Sequence, residues 1–211
     1  MAVMPYKKLA YNGEIHYNKV MDNTVGSLTQ EQRLIIIGSL LGDGYLRIVS
    51  GRKNAFLEIN HSISEKDYVD WKYQKLKDLV KSPPKQRKGK GERIAYRFFT
   101  RQHPELTELY LKFYSKGKKI IPDLKLDPLM IAVWFMDDGS KSYQTYYLNT
   151  QGFDYLSQKR LIQILNEQYE IDSSLNRDKR YCRIRIKQNS AERFRKLITD
   201  YVIPVMKYKL G

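Results

Sequence analysis

The sequence predicts an α+β fold: two tandem αββαββα repeats related by a pseudo-twofold axis, each building a four-stranded antiparallel sheet with helices on one face. Three observations lead there. The stretches "IIIGSLLGDGYLRI" (35–48) and "LMIAVWFMDDGSKS" (129–142) are both apolar runs that stop at Asp-Gly. Behind each comes the same order of strand-like pair, amphipathic helix, strand-like pair and closing helix. The composition allows a packed core, since 42% of the 211 residues are apolar, and the length gives room for one large domain or two small ones.

The elements follow in order. Residues 1–27 form an N-terminal extension of undecided structure, ahead of a first half over 28–122 and a second over 123–211. Thr29 and Gln32 are spaced as a capping box before the first apolar helix. Asp127 and Pro128 fit the N-cap and first helical position of the second. "YLRIVSGRKNAFLEINH" reads as two strands around a turn at 50–54, and Tyr143 to Thr150 favour strand by their aromatics and threonines. Helices follow over 64–80, with Tyr68, Trp71, Leu76 and Val80 near helical spacing, and over 156–169, with Leu161, Ile162, Ile164 and Leu165. The second strand pairs are clearest at 93–100 and 181–187. In the latter, Arg183, Arg185 and Lys187 alternate with Cys182, Ile184 and Ile186. Closing helices are expected over 104–115 and 191–203, and the prolines and glycines of "KSPPKQRKGKGER" (81–93) predict an irregular basic loop.

Charge narrows the function. Lys and Arg number 38 against 23 Asp and Glu, a net +15, which points to a polyanionic partner and first of all to nucleic acid. Cys182 is the one cysteine, which excludes a disulfide framework and a zinc ribbon, and His16, His61 and His103 are scattered. The longest apolar run, Leu34 to Leu41, is too short to span a bilayer. The N-terminus shows no apolar signal region. The expectation is a soluble protein of a reducing compartment with no membrane partner.

"IIGSLLGDG" (36–44) and "IAVWFMDDG" (131–139) resemble the two motif copies of the LAGLIDADG homing endonucleases. "LVKSPPKQRK" (79–88), "KKIIP" (118–122), "WFMDDGSK" (134–141), "LNTQGF" (148–153) and "VIPVMKYKL" (202–210) are similar to the two-motif monomeric branch that includes the yeast mitochondrial omega-intron endonuclease. The resemblance implies a saddle of two sheets over double-stranded DNA and a site-specific, metal-dependent double-strand break in a long target. It implies a monomer with pseudo-twofold symmetry, and an intron-encoded form is preferred over an intein insertion. A maturase binding its own intron RNA and a non-cleaving DNA-binding regulator are the competing readings. The compartment stays open among mitochondrion, chloroplast and prokaryotic cytoplasm.

Phosphodiester hydrolysis needs an attacking hydroxide and a stabilised leaving oxyanion, and Mg²⁺ or Mn²⁺ on carboxylate oxygens can serve both. The resemblance implies two or three ions shared between two active sites, one acid to each. Asp43 and Asp138 hold the matching positions before Gly44 and Gly139. The Gly42 and Asp137 positions are further candidate metal contacts, Asp137 through its backbone carbonyl or in a capping role. The plain alternative is that both Asp-Gly pairs merely end helices and start hairpins. Lys119 and Lys209 align with the family's active-site lysines, with neighbours Lys118 and Lys207 as alternatives. Gln151 and His61 fall where the family places a polar residue that organises water, and Asn60 competes with His61. The candidate DNA contacts are Arg47, Arg52, Lys53, Asn54, Glu58, Arg97, Lys141, Tyr143, Gln144, Arg183, Arg185 and Lys187 for bases, and Lys85, Arg87, Lys88, Lys90 and Arg93 for phosphates. If the two motif helices pack side by side, Gly38, Ser39 and Gly42 face Ala132 and Val133 and bring both acids to one place.

Overall fold

The computed structural model of the chain describes residues 6–11, 14–19, 26–89 and 92–211. In the N-terminal extension, β1 (Tyr6–Tyr11) and β2 (Glu14–Lys19) pair as an antiparallel hairpin. The first half then runs α1 (Gln30–Leu41), β3 (Tyr45–Arg47), β4 (Phe56–Ser62), α2 (Lys66–Lys75), β5 (Lys85–Lys88), β6 (Ile94–Phe99) and α3 (Pro104–Phe113). A two-stranded link, β7 (Tyr114–Ser115) with β8 (Lys118–Lys119), turns through Lys116 and Gly117, both at positive φ. The second half is α4 (Pro128–Asp138), β9 (Gly139–Ser142), β10 (Thr145–Leu148), α5 (Tyr155–Tyr169), β11 (Ser173–Asp178), β12 (Tyr181–Ile186) and α6 (Gln188–Thr199), followed by a 3₁₀ turn over Pro204–Lys209.

The two sheets have the same topology. Their strand orders are β3-β4-β6-β5 and β9-β10-β12-β11, all antiparallel, as the repeat predicts. Both motif helices start as their caps direct. Thr29 and Gln32 close a reciprocal capping box, and the Asp127 side chain accepts the Leu129 N–H at 2.8 Å ahead of Pro128.

One core serves both halves. Ile35, Ile36 and Leu40 of α1 and Ile131, Trp134 and Phe135 of α4 are fully buried, and α1 lies against α4. Such a pair is buried all round, which is why neither sequence shows a polar face. The close approach depends on Gly38, where a Cβ would stand 2.7 Å from the Val133 Cβ and 2.7 Å from the Met130 carbonyl oxygen. Gly42 is closed off in the same way by the side chain of Asp137.

Several elements differ from expectation. Residues 85–88, placed in an irregular loop, form edge strand β5, because β6 offers an open edge and Pro83 and Pro84 precede the strand rather than interrupt it. The run Tyr143 to Thr150 is not one strand: Tyr143 takes φ 53° in the turn between β9 and β10. The helix expected over 64–80 divides into 3₁₀ turns at Ile63–Glu65 and Lys77–Leu79 around α2. The last helix starts earlier than expected, at Gln188, and ends at Thr199.

Candidate active site

The ends of the two motif helices build the site. At the close of α1 the Gly42 N–H donates to the carbonyls of Gly38 and Ser39, and the Gly44 N–H wraps back to Ser39 at 2.7 Å. A side chain at Gly44 would meet Ser39 within 2.8 Å, so only glycine permits this wrap. It turns the chain from helix into β3 and leaves Asp43 projecting, with its side chain 49% exposed. In the second half α4 ends at Asp138, whose carbonyl accepts the Asn149 N–H at 2.9 Å at the end of β10.

The two acids come together. Burial first, then the charges of Asp43 and Asp137, push the Asp138 carboxyl up to about 7. Two lysines stand over the helix ends in matching roles. The Lys119 ammonium donates to the carbonyls of Leu40 (3.0 Å) and Gly42 (2.9 Å), and that of Lys209 to those of Met136 and Asp137. Burial lowers both, Lys119 to about 8, against the pull of Asp137, Asp138 and Asp43. Neither alternative lysine has a hydrogen bond to these carbonyls; Lys118 and Lys207 are exposed.

The donor set fits a hard divalent cation. It offers carboxylate oxygens at Asp43 and Asp138 and carbonyl oxygens at Gly42 and Asp137, the hard oxygen donors such an ion prefers. Among the described residues no group of three or more His, Cys, Asp or Glu could hold a metal alone.

Asp137 is placed differently from its neighbour. Its side chain is fully buried and faces the first half, where Oδ1 accepts from the Lys72 ammonium (2.6 Å) and the Tyr68 hydroxyl (2.7 Å). Burial, then the Asp137 charge, raises the Tyr68 hydroxyl well above its usual range. The carbonyl of Asp137 takes Lys209. Both acids thus lie near Asp43: the Asp137 carboxylate is tied up by Lys72 and Tyr68, whereas among the described residues no hydrogen bond from a neighbouring side chain is seen on the Asp138 carboxylate.

His61 and Gln151 do not hold equivalent places. Gly44 and Gly139 match, and Tyr45 pairs with Glu58 while Gly139 pairs with Leu148, so Asn60 corresponds to Asn149 and His61 to Thr150. Gln151 lies one residue further and donates to Asp178 at 2.9 Å. His61 is buried near Asp43, its Nδ1 3.6 Å from the Asp43 carboxylate and 3.0 Å from that of Glu65. Glu65 escaped sequence reading because it lies in the 3₁₀ turn just before α2, outside any motif. The His61 hydrogen bond, ahead of opposing burial, lowers its carboxyl pKa.

The strand registers assign the basic residues to faces. In the first sheet Arg47, Glu58, Arg97, Lys85 and Arg87 share the face away from the helices, and Glu58 bridges Arg47 (3.4 Å) and Arg97 (3.6 Å). In the second, Arg183 and Arg185 share that face with Tyr147, whose ring carries the Arg183 guanidinium at 4.0 Å. Lys141 departs from this: it pairs with buried Tyr146 on the helix side, beside Gly211. Lys88 likewise pairs with Ile94 on the helix side of the edge strand. Asn54 turns to Thr107 of α3, and Lys187 to Asp172 at 3.0 Å. Arg52, Lys53 and Arg93 are exposed in loops, Tyr143 is 96% exposed at its hairpin tip, and Gln144 bonds Gln188. Lys90 lies outside the described residues.

The chain is similar to known proteins in sequence and in fold. The chain is 32% identical to probable intron-encoded endonuclease 1 of Wickerhamomyces canadensis over 87% of its length and 85% of that protein. It is 30% identical, over 97% of its length, to cytochrome b mRNA maturase bI2 of Saccharomyces cerevisiae, of which it spans 53%. The structure of the homing endonuclease I-WcaI bound to its DNA recognition sequence superposes with a TM-score of 0.84 at 30% identity, covering 90% of this chain and 89% of that one. Residues 33–194 match the LAGLIDADG DNA endonuclease family, and the chain belongs to that family.

Proposed function

We propose that the chain is an intron-encoded homing endonuclease that makes a Mg²⁺-dependent double-strand break at one long DNA site. The observation that carries this is the approach of Asp43 and Asp138 at the ends of α1 and α4, with Lys119 over the carbonyls that end α1 and Lys209 over those that end α4. It is supported by relatives named as endonucleases and by a similar structure solved on DNA. Divalent cations held by Asp43 and Asp138 would supply positive charge to the phosphate and lower the pKa of a bound water. The chain's own residues do the rest. Lys119, with a pKa of about 8 beside the helix-end acids, would stabilise negative charge building up on the phosphate, and Lys209 would do the same at the second site. Arg47, Arg97, Arg183 and Arg185 are the candidates for reading bases in the major groove, and Lys85 and Arg87 for holding phosphates.

The deciding experiment is a plasmid carrying the intronless junction of the encoding gene. Linearisation that needs Mg²⁺, stops with EDTA and stops in Asp43→Asn is expected. An intact plasmid overturns the reading. A maturase role is favoured by one specific observation, the similarity to the bI2 maturase, and predicts tight binding to the intron transcript. That binding, measured with the same protein, decides whether the two activities coexist.

A further inference from the structure

We infer that Asp137 is a positioning residue that braces Asp43 from the opposite half of the molecule, and that this brace serves only one of the two strand cuts. The inference rests on the nuclease reading above. Asp43 lies in a short turn between α1 and β3 and is half exposed. Its backbone N–H donates to Oδ2 of Asp137 at 3.3 Å. The other oxygen of that carboxylate is held by Lys72 at 2.6 Å and Tyr68 at 2.7 Å, and the Tyr68 hydroxyl also reaches the Val133 carbonyl at 3.2 Å. Both members of the Lys72–Asp137 pair are fully buried, so the carboxylate has little freedom to move. A group whose carboxylate must meet a cation within a fraction of an ångström gains from a fixed backbone, and residues that orient ligands matter nearly as much as the ligands.

The brace is one-sided. The counterpart of Asp137 in the first half is Gly42, which has no side chain and no room for one, because its Cβ would collide with Asp137. Nothing at that position can reach across to Asp138 as Asp137 reaches to Asp43. The pseudo-twofold symmetry therefore breaks inside the active site, and the two halves support their acids by different means.

The test separates positioning from mere folding. Removing one partner of a buried ion pair strands the other charge, whereas removing both together is tolerated. Two double variants remove the charges together: Lys72→Met with Asp137→Asn, and Lys72→Met with Asp137→Leu. Asparagine keeps an oxygen for the Asp43 N–H; leucine does not. Both variants are expected to melt cooperatively near the temperature of the unaltered protein. The asparagine variant, whatever its overall rate, is expected to cut the two strands at matched rates and to accumulate no nicked circles. The leucine variant is expected to accumulate nicked circles, with one strand slowed roughly 10–100-fold, the range seen when an orienting partner of a metal ligand is lost. Its Mg²⁺-induced rise in Tm, which needs no cleavage, should shrink as well. Equal slowing of both strands, or full activity with an undiminished Tm response in the leucine variant, overturns the inference. Failure of the unaltered protein to cut any plasmid counts instead against the nuclease reading, and the Tm response still decides the brace.

Discussion

The Asp138 carboxyl titrates in the wrong range for a free carboxylate, and that has a measurable consequence. Its folded pKa is about 7 against an ordinary 3.8. Between about pH 4 and pH 7 the folded chain holds a proton that the unfolded chain gives up, so without metal its contribution to stability falls as pH rises through that window. A divalent cation needs the deprotonated form and competes with that proton. Mg²⁺ should therefore raise Tm at about pH 8 and have little effect at about pH 5.5; Asp138→Asn should remove the response. A Tm rise of equal size at both pH values would rule out Asp138 as the ligand. Lys119 carries the opposite sign. Its folded pKa of about 8 lies below the usual 10.5, so burial of the cation costs stability at neutral pH, and that cost is relieved as pH climbs from about 8 to about 10.5. Lys119→Met should for this reason hold or raise Tm at neutral pH while cleavage falls. Lys72 differs although it too is buried, because it has Asp137 as a partner: Lys72→Met alone strands that carboxylate and should cost about 3–5 kcal/mol in denaturant titrations.

At the scale of elements, the seam between α1 and α4 governs everything at the site, since it sets how far apart the two acids stand. Gly38 lies where a Cβ would press on both the Val133 side chain and the Met130 carbonyl, and the second of these is backbone that cannot step aside. Gly38→Ala should lower stability by about 1–3 kcal/mol, the usual cost of an overpacked core. It should also slow cleavage of both strands alike, because it moves the helices rather than one acid; Tm together with strand-resolved rates checks both. This seam was legible in the sequence, because apolar runs interrupted by Gly38, Ser39 and Gly42 say that another backbone comes close, and Thr29 with Gln32 and Asp127 with Pro128 announce where the helices begin. The outward face of β12 was legible as well, as period-two alternation at "RIRIK" fixes which residues face outward. Register was harder. Tyr143 looks like strand by side chain, yet its φ of 53° belongs to a turn, and the pairing around that turn puts Lys141 on the helix side. The match of His61 to Gln151 failed because the two hairpins have loops of different length, and only backbone pairing shows that Thr150 is the counterpart. The Lys72–Asp137 pair could not be read at all: it joins α2 of one half to α4 of the other, and no local pattern ties a lysine on a mostly polar helix to a distant acid.

Across the whole molecule, the chain carries a net charge of +15, and the helix-free faces of its two sheets present arginines and lysines. Each phosphate neutralised by such a side chain releases condensed counterions, so the logarithm of the DNA binding constant should fall linearly with the logarithm of salt concentration, at about 0.9 per neutralised phosphate. The faces hold two kinds of side chain that this relation can separate. Lys85 and Arg87 lie on edge strand β5, at the rim of the first sheet, and suit phosphates. Lys85→Gln and Arg87→Gln should weaken binding to every duplex alike, and each should reduce the salt slope by about one. Arg97 and Arg183 lie on the inner strands β6 and β12, each already oriented by a neighbour, Arg97 by Glu58 and Arg183 by the Tyr147 ring and Asn149. An arginine held in this way suits the edge of a guanine. Arg97→Gln and Arg183→Gln should therefore cost about 1–3 kcal/mol on the cognate duplex and much less on a scrambled one, and relax specificity at one base pair each. Titrations of both duplexes at several salt concentrations provide the check. If the β5 variants lose specificity while the inner-strand variants lose only salt dependence, the assignment of rim to phosphate and centre to base is reversed.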